Sequence, residues 1–141
     1  MDTVFSLCSA AASVGWLLLI LAPRWRVTRV ASGVAIPLAI ALVYLTLIGR
    51  YMPGAAGGFG SLADVALLFD QQGLLLAGWV HYLAFDLFIG SWEVRDANQH
   101  HVPHLLVVPC LIMTFMLGPI GLLAYFAVRL WRARTLLPGA A

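Results

Sequence analysis

Residues 73–96 read GLLLAGWVHYLAFDLFIGSWEVRD, an apolar run that contains a histidine and an aspartate. A helix needs about 20 residues to cross the hydrocarbon core of a bilayer, which is about 30 Å thick. We therefore predict a transmembrane helix over residues 74–92. His81 lies near the middle of this helix and Asp86 follows it, so groups that can exchange protons lie inside the predicted span.

The composition of the whole chain is that of a membrane protein. Of its 141 residues, 62% are hydrophobic and 10% are charged, whereas a soluble domain carries about 25% charged residues. The mean hydropathy is +0.96, and a soluble fold of this size cannot hide so much apolar surface. These values exclude a soluble globular domain and a disordered chain. The same composition excludes a disulfide-held secreted domain. Cys8 and Cys110 lie in apolar runs without redox spacing, so they imply no oxidising compartment.

Further apolar runs predict three more transmembrane helices. Their approximate bounds are 4–22, 27–48 and 104–128. Ser61 followed by Asp64 resembles a capping box, and the apolar face that follows predicts a short interfacial helix over residues 61–72. The predicted fold is all-α, a polytopic membrane protein whose four transmembrane helices form a bundle, with the interfacial helix between the second and third. The chain forms a single membrane domain, 1–141.

Prolines and a polar segment interrupt these runs. Pro37 predicts a kink in the second span, and Pro109 and Pro119 predict kinks in the fourth. Residues 91–103 hold most of the polar side chains between the third and fourth spans, and we predict a polar loop there.

The basic residues leave the membrane orientation open. All eight are arginines, and four spans divide them equally between the two sides. The first and third loops hold Arg24, Arg26, Arg29 and Arg95. The middle loop and the tail hold Arg50, Arg129, Arg132 and Arg134. Because these arginines lie at the ends of apolar runs, we interpret them as membrane boundaries and not as a nucleic-acid surface. The usual dominance of the first helix favours a cytoplasmic first loop.

Asp86 is the strongest functional candidate that the residues themselves identify. An ionised carboxylate in hydrocarbon is costly, so it must pair with a cation, take up a proton or meet water. No predicted span contains a lysine or arginine that could pair with it. Glu93 is seven residues further on and shares its face, whereas His81 is rotated by about 140° at about 100° per residue. The alternatives are a polar clasp between helices for Asp86 and a hydrogen-bonded core histidine for His81.

The predicted loop between the third and fourth spans adds further polar groups. Glu93, Arg95 and Asp96 form either part of a functional cluster or a solvated cluster at the membrane interface. His104 follows a proline at the mouth of the fourth span, near the same end of the third. The histidines of residues 98–104 have no spacing typical of a metal site, and we predict no metal ion there.

These residues point to proton chemistry within the membrane. The sequence contains no phosphate-binding glycine loop, nucleotide fingerprint or nucleophile elbow. Carboxyl and imidazole groups at the lipid boundary suit proton transfer. The residues alone therefore predict either proton transfer on a lipid-soluble molecule that enters sideways, or binding of such a molecule.

Several strings in the C-terminal half carry a resemblance to a known family. Residues 78–88 read GWVHYLAFDLF and residues 114–121 read TFMLGPIG, with RD at 95–96, PH at 103–104 and VPC at 108–110. In these strings the chain resembles the abscisic-acid-deficient-four-like family of small membrane proteins. The resemblance implies a role in carotenoid metabolism, because plant members are needed to make neoxanthin from violaxanthin.

The resemblance also implies a reaction type. Opening the violaxanthin epoxide to an allenic alcohol is an isomerisation that needs an acid and a base but no redox cofactor. We expect Asp86 and His81 to fill these two roles in either assignment, with His104 and Glu93 completing the catalytic set. The residues expected to bind the substrate are Trp79, Tyr82, Phe85, Arg95, Asp96 and Thr114. If the chain is an enzyme, the resemblance implies a carotenoid isomerase that acts on a carotenoid or another isoprenoid and needs no cofactor.

Two other functions remain open from the sequence. One is a carotenoid- or lipophile-binding protein, or an accessory subunit of carotenoid metabolism, without turnover of its own. The other is a haem or metal protein with His81 and His104 as ligands, which their different depths disfavour. The expected partners are the lipophilic substrate, membrane lipid and a second copy in a homodimer with a shared groove, but no nucleic acid. The expected location is the inner membrane of a bacterial cell.

Overall fold

The computed structural model describes residues 1–134, and that part of the chain is helical without strands. Its six helices are α1 Asp2–Leu21, α2 Arg26–Tyr51, α3 Leu62–Asp70, α4 Gln72–Gln99, α5 His104–Leu117 and α6 Pro119–Ala133. Three of them, α1, α2 and α4, are long and apolar enough to cross a membrane. The end of the predicted single domain, 135–141, lies outside the described residues.

The three long helices pack through glycines that let their backbones approach closely. α1 and α4 run in the same direction, because Phe5 contacts Trp79 with ring centroids 5.4 Å apart while Trp16 covers Gly90 further along. α2 runs antiparallel to both. Its early residue Ser32 donates a 2.8 Å hydrogen bond to a carbonyl in the second half of α1, whereas its last residue packs on the start of α4.

Where the sequence predicts a kink at Pro37, the structure has a π-helical turn. Residues Ala31–Ala35, just before the proline, form this wider turn within an otherwise continuous α2. A proline has no N–H to donate, so the carbonyl four residues earlier lacks its usual partner. The turn lies against α1 and α4. Gly33 in this turn faces Ser91 so closely that an added Cβ would be 2.7 Å from its hydroxyl oxygen.

The short helix α3 confirms the predicted cap. The Ser61 hydroxyl oxygen accepts a 3.1 Å hydrogen bond from the Asp64 N–H and donates a 2.7 Å hydrogen bond to the Asp64 carboxylate. The Phe69 ring covers Gly78 of α4. α3 is therefore folded back against the first half of α4.

The predicted polar loop over residues 91–103 is wrong, because α4 continues to Gln99 and only residues 100–103 connect it to α5. Glu93 and Asp96 are 0% and 5% exposed. Of the two alternatives for these residues, the solvated cluster does not hold for Glu93 and Asp96, because both side chains are buried against the protein. Polar side chains tolerate such burial when other polar groups meet them.

The predicted fourth span over residues 104–128 is not one crossing helix. It is divided at Gly118, whose φ of +51° reverses the backbone before Pro119 begins α6. A positive φ is accessible to glycine without the steric cost that a Cβ would bring. α5 has 14 residues, about 21 Å of helix at about 1.5 Å per residue, which is too short to cross a bilayer.

α6 folds back along the direction from which α5 came. Gly118 lies beside Asp86, Tyr125 contacts Asp96, and Arg129 contacts His100. These contacts move toward the C-terminal end of α4 as α6 proceeds. α5 and α6 therefore form a helical hairpin, called here the α5–α6 hairpin, whose tip at Gly118 meets the middle of α4.

The hairpin changes how the arginines are distributed. The tail now returns to the side where residues 22–25 connect α1 to α2, so all arginines except Arg50 belong to that side. Seven of eight basic residues on one side give a clear preference under the positive-inside rule, in place of the predicted tie.

We therefore expect the two ends of the described chain to lie on opposite sides of the membrane when the chain is expressed in bacterial cells, with Arg134 in the cytoplasm. The measurement is labelling by a membrane-impermeant maleimide of Thr3→Cys and Arg134→Cys, each in a chain whose own cysteines are replaced. Thr3→Cys should react in intact cells and Arg134→Cys only after permeabilisation. Labelling of both positions from the same side would contradict this topology.

Candidate functional site

The Asp86 carboxyl group lies at the tip of the α5–α6 hairpin. A Cβ added to Gly118 would be 3.2 Å from Asp86 Oδ2, and within residues 1–134 this buried oxygen has no hydrogen-bond partner. Tyr82, one helical turn earlier, lies next to the same carboxyl group. Its hydroxyl donates a 2.8 Å hydrogen bond to the Phe115 carbonyl in the hairpin. Asp86 is thus held at the site where α4 meets the reversal of the chain.

The start of α6 supplies an electrostatic environment for this carboxyl group. The first N–H groups of a helix point outward and carry a partial positive charge. Gly118 is the N-cap of α6 and Pro119 its first residue, a position at which proline is favoured. A carboxylate at Asp86 therefore faces the positive end of a helix dipole, a stabilising partner that the sequence analysis did not identify.

Glu93 places a second carboxyl group on the same face of α4. It is fully buried, and Thr114 of α5 donates a 2.9 Å hydrogen bond to its Oε1. Its other oxygen, Oε2, is buried and makes no hydrogen bond within the described chain. Asp86 and Glu93 are about 10 Å apart along the helix axis at about 1.5 Å per residue. The structure brings both carboxyl groups and Thr114 to the α5–α6 hairpin.

A buried charged cluster closes the other end of the hairpin. Arg129 Nε lies 3.1 Å from Asp96 Oδ2, and Arg129 Nη2 lies 2.8 Å from His100 Nε2. The Tyr125 hydroxyl also donates to Asp96. Arg129 is 1% exposed, so its guanidinium group is buried in this cluster and does not face water. Tyr125, four residues earlier, lies on the same face of α6, and this spacing was the signal that the sequence offered for the cluster.

His81 lies on a different face of α4 from Asp86. It is exposed on the outer surface, stacks on Phe85 with centroids 4.5 Å apart, and packs against Tyr44 of α2 at 5.6 Å. Asp86 instead faces the hairpin, although the two groups are near enough for their charges to interact. The structure therefore does not place the expected acid and base side by side.

His104 and Arg95 make contacts that hold helices in place. His104 Nε2 donates a 3.0 Å hydrogen bond to the carbonyl of Ile20, one of the last carbonyls of α1, which lack partners within their own helix. Arg95 donates a 3.2 Å hydrogen bond to Ser91 in its own helix. Neither side chain lies with Asp86 at the hairpin tip.

The described residues offer little support for a metal ion. Among residues 1–134, no group of three or more His, Cys, Asp or Glu side chains is arranged to hold a metal ion. His81 faces outward beside α2, whereas His104 lies at the end of α1 with its Nε2 bonded to a carbonyl. A single haem or metal ion bound by both of these histidines in one chain does not fit this arrangement.

Trp79 and Tyr82, both expected to bind substrate, line an open groove between α1 and α4. The Trp79 N–H donates a 3.1 Å hydrogen bond to the Ser9 hydroxyl across this groove. Asp86 lies one turn beyond Tyr82 on α4 and lines neither of the two cavities.

A family model and a curated relative that match this chain point to the same family. The family model described as ABA DEFICIENT 4-like matches residues 3–125. The protein ABA DEFICIENT 4, chloroplastic, of Arabidopsis thaliana is 25% identical over 139 residues, an alignment that covers 91% of this chain and 61% of the relative. This chain thus spans about three-fifths of the length of that curated relative. No solved structure matches.

Proposed function

We propose a function for this chain from one premise, that it belongs to the ABA DEFICIENT 4-like family. The resemblance found in residues 78–121 is confirmed by this membership. The role in carotenoid metabolism that the resemblance implies is part of the proposal. The proposed activity is an acid/base isomerisation, of the epoxide-opening type, of a carotenoid or related isoprenoid within the membrane.

The observation that carries the proposal is the unpartnered Asp86 oxygen at the hairpin tip. A carboxyl group that already had an ion-pair partner would be a structural clasp, which was the alternative for this residue. Asp86 instead faces a helix N-terminus, which stabilises its anion, and lies one helical turn beyond Tyr82, which lines both cavities between α1 and α4. It can therefore exchange a proton close to the cavities in which an apolar substrate would bind.

One carboxyl group is sufficient for the chemistry. The neutral Asp86 donates its proton to the epoxide oxygen as the ring C–O bond breaks. The resulting carboxylate then removes the proton from the neighbouring vinylic carbon, whose electron pair completes the allene. The proton lost by Asp86 is replaced, no electrons enter or leave, and the product is an isomer of the substrate. This removes the need for His81 as a partner on the same face.

We expect Asp86→Asn to lower product formation at least about 100-fold, because general acid–base groups contribute about 10² to 10⁴ in rate. The measurement is pigment chromatography of bacterial membranes that accumulate epoxycarotenoids and contain equal amounts of folded protein. Asp70→Asn, at the exposed end of α3, is the matched control and should keep full activity. His81→Gln should stay within a few-fold of the unsubstituted chain.

Two results would contradict this proposal. Full activity of Asp86→Asn would show that the carboxyl group takes no part in the reaction. An unchanged pigment profile with the unsubstituted, folded protein would show that the chain does not catalyse epoxide opening.

The open groove also favours a second candidate, in which the chain binds a carotenoid or another lipophile for a partner enzyme. This function predicts pigment that is retained through purification but is not converted. Asp86→Asn would then leave the amount of product made by the partner enzyme unchanged.

A further inference from the structure

Arg95 lies on the side of α4 that faces away from the α5–α6 hairpin. It follows Asp86 by nine residues, which is a rotation of about 180° at about 100° per residue. Its guanidinium group lies against α2, because a Cβ added to Gly33 would be 3.1 Å from Arg95 Nη1. The side chain is half-buried, and the proposed reaction does not involve it.

The guanidinium group of Arg95 points toward the middle of the membrane. Arginines near the end of a membrane helix usually extend their charge toward the water. Side chains on a helix lean toward its N-terminus, however, and the N-terminus of α4 is on the opposite side of the membrane. Arg95 accordingly donates a 3.2 Å hydrogen bond to Ser91, four residues earlier, and its Cζ lies 5.9 Å from the centroid of the Phe88 ring.

The depth of this charge follows from α1, whose 20 residues are just long enough to cross the bilayer core. The Gly15 carbonyl of α1 accepts a hydrogen bond from Ser32 of α2, the residue before Gly33. Gly15 is six residues from the end of α1 at Leu21, about 9 Å at about 1.5 Å per residue. The charge of Arg95 therefore lies within the hydrocarbon region.

Arg95 has no counter-charge in the part of the chain that the structure describes. A guanidinium group has five N–H donors, and within residues 1–134 Arg95 makes one hydrogen bond, to the neutral Ser91 hydroxyl, and no ion pair. Phe88 beneath the guanidinium group and Val34 next to Gly33 are both exposed, so this cleft opens to lipid. A charge in hydrocarbon needs an opposite charge or further acceptors, and here the bilayer is the available source.

We infer that the α2–α4 cleft, defined by Arg29 and Gly33 of α2 and by Phe88, Ser91 and Arg95 of α4, binds the phosphate group of an anionic phospholipid. Arg29 is exposed one turn before Gly33, and within the described residues it too makes no ion pair. A guanidinium group matches a phosphate with two parallel N–H···O bonds. Basic pockets between membrane helices bind phospholipid head groups in this way.

An anionic phospholipid suits the α2–α4 cleft better than a free phosphate ion does. A free ion would have to leave water and enter the hydrocarbon region without any apolar cover, which is costly. A phospholipid instead brings an acyl chain that lies on the exposed Phe88 ring. A zwitterionic lipid carries a cation beside its phosphate, and like charges placed together are unfavourable. Two arginines therefore favour a lipid with a net negative charge.

The test compares Arg95→Gln with a variant that removes the same charge elsewhere. Arg132→Gln is the matched control, because Arg132 is exposed on the same side of the membrane but belongs to α6, on the hairpin side of α4. The probe is phosphatidylglycerol, titrated into the full chain in detergent micelles. Native mass spectrometry measures the fraction of protein that carries lipid, and circular dichroism shows that each variant is folded.

We expect Arg95→Gln to weaken phosphatidylglycerol binding at least about tenfold, because it removes a charge-assisted, bidentate contact. Arg132→Gln should leave the affinity unchanged. Arg95→Lys keeps the charge but not the planar pair of donors, so its loss should be smaller than that of Arg95→Gln. Phosphatidylcholine, which has a phosphate but no net charge, should bind the unsubstituted chain more weakly than phosphatidylglycerol does.

Several results would overturn the inference. Equal phosphatidylglycerol binding by Arg95→Gln and Arg132→Gln would show that the cleft holds no lipid phosphate, and equal affinity for the two lipids would show that net charge does not matter. Displacement of the lipid by an excess of inorganic phosphate would assign the cleft to a soluble anion. If Arg95→Gln does not fold, Arg29→Gln tests the same phosphate, and unchanged lipid binding in that variant would overturn the inference equally.

Discussion

Gly121→Ala should prevent the α5–α6 hairpin from closing, with a loss of stability of about 3 kcal/mol or more, at the upper end of the usual cost of overpacking. A Cβ at Gly121 would overlap the backbone nitrogen and Cα of Thr114 in the facing helix. A flexible side chain could turn away, but a backbone cannot do so without separating α5 from α6. The measurement is unfolding in mixed micelles, followed by circular dichroism.

The matched control for this change is Gly49→Ala in α2, where an added Cβ meets nothing within 4 Å. Alanine is a better helix former than glycine by up to about 1 kcal/mol, so this variant should be as stable as the unsubstituted chain or slightly more stable. Gly121→Ala should also lose the activity that depends on Asp86, because the hairpin tip positions Tyr82 and the carboxyl group. Equal stability of Gly121→Ala and Gly49→Ala would show that the two helices are not packed at this position.

Arg129→Gln is the second change with a large expected effect. It leaves the buried Asp96 carboxylate with Tyr125 and His100 but without its arginine, and breaking a buried pair from one side typically costs about 3–5 kcal/mol. Arg132→Gln, three residues further along α6 and exposed, should leave stability unchanged. The same unfolding measurement compares the two variants.

The double variant Asp96→Asn with Arg129→Gln distinguishes an ion pair from simple packing. Because it removes both charges, it should recover part of the stability that Arg129→Gln loses. Independent, additive losses in the two single variants would contradict a direct interaction between Asp96 and Arg129.

The structure of the first half of the chain, from α1 to α3, was largely predictable from its sequence. The predicted spans 4–22 and 27–48 correspond to α1 and α2, and the cap formed by Ser61 and Asp64 begins α3. These predictions rest on local properties, namely run length, hydropathy and a contact between side chains three residues apart. Neighbouring helices do not alter them.

The candidate site was predictable in its residues but not in its arrangement. Asp86 was identified because a carboxyl group in an apolar run is costly in lipid, and Glu93 because it shares the helix face of Asp86. The spacing did not reveal that Asp86 faces the start of another helix, or that His81 lies on the outer surface against Tyr44. Both facts depend on which helix packs on which face of α4.

The sequence by itself determined that this is a helical membrane protein with carboxyl groups inside its apolar segments, because hydropathy and the cost of buried charge act residue by residue. Only the tertiary structure decided that Gly118 and Pro119 reverse the chain, where the sequence predicted a kink. The reversal is favourable because Thr114 meets Glu93 and Arg129 meets Asp96. Each of these polar groups gains a partner that lies more than 20 residues away in the sequence, and no local pattern records such a pairing.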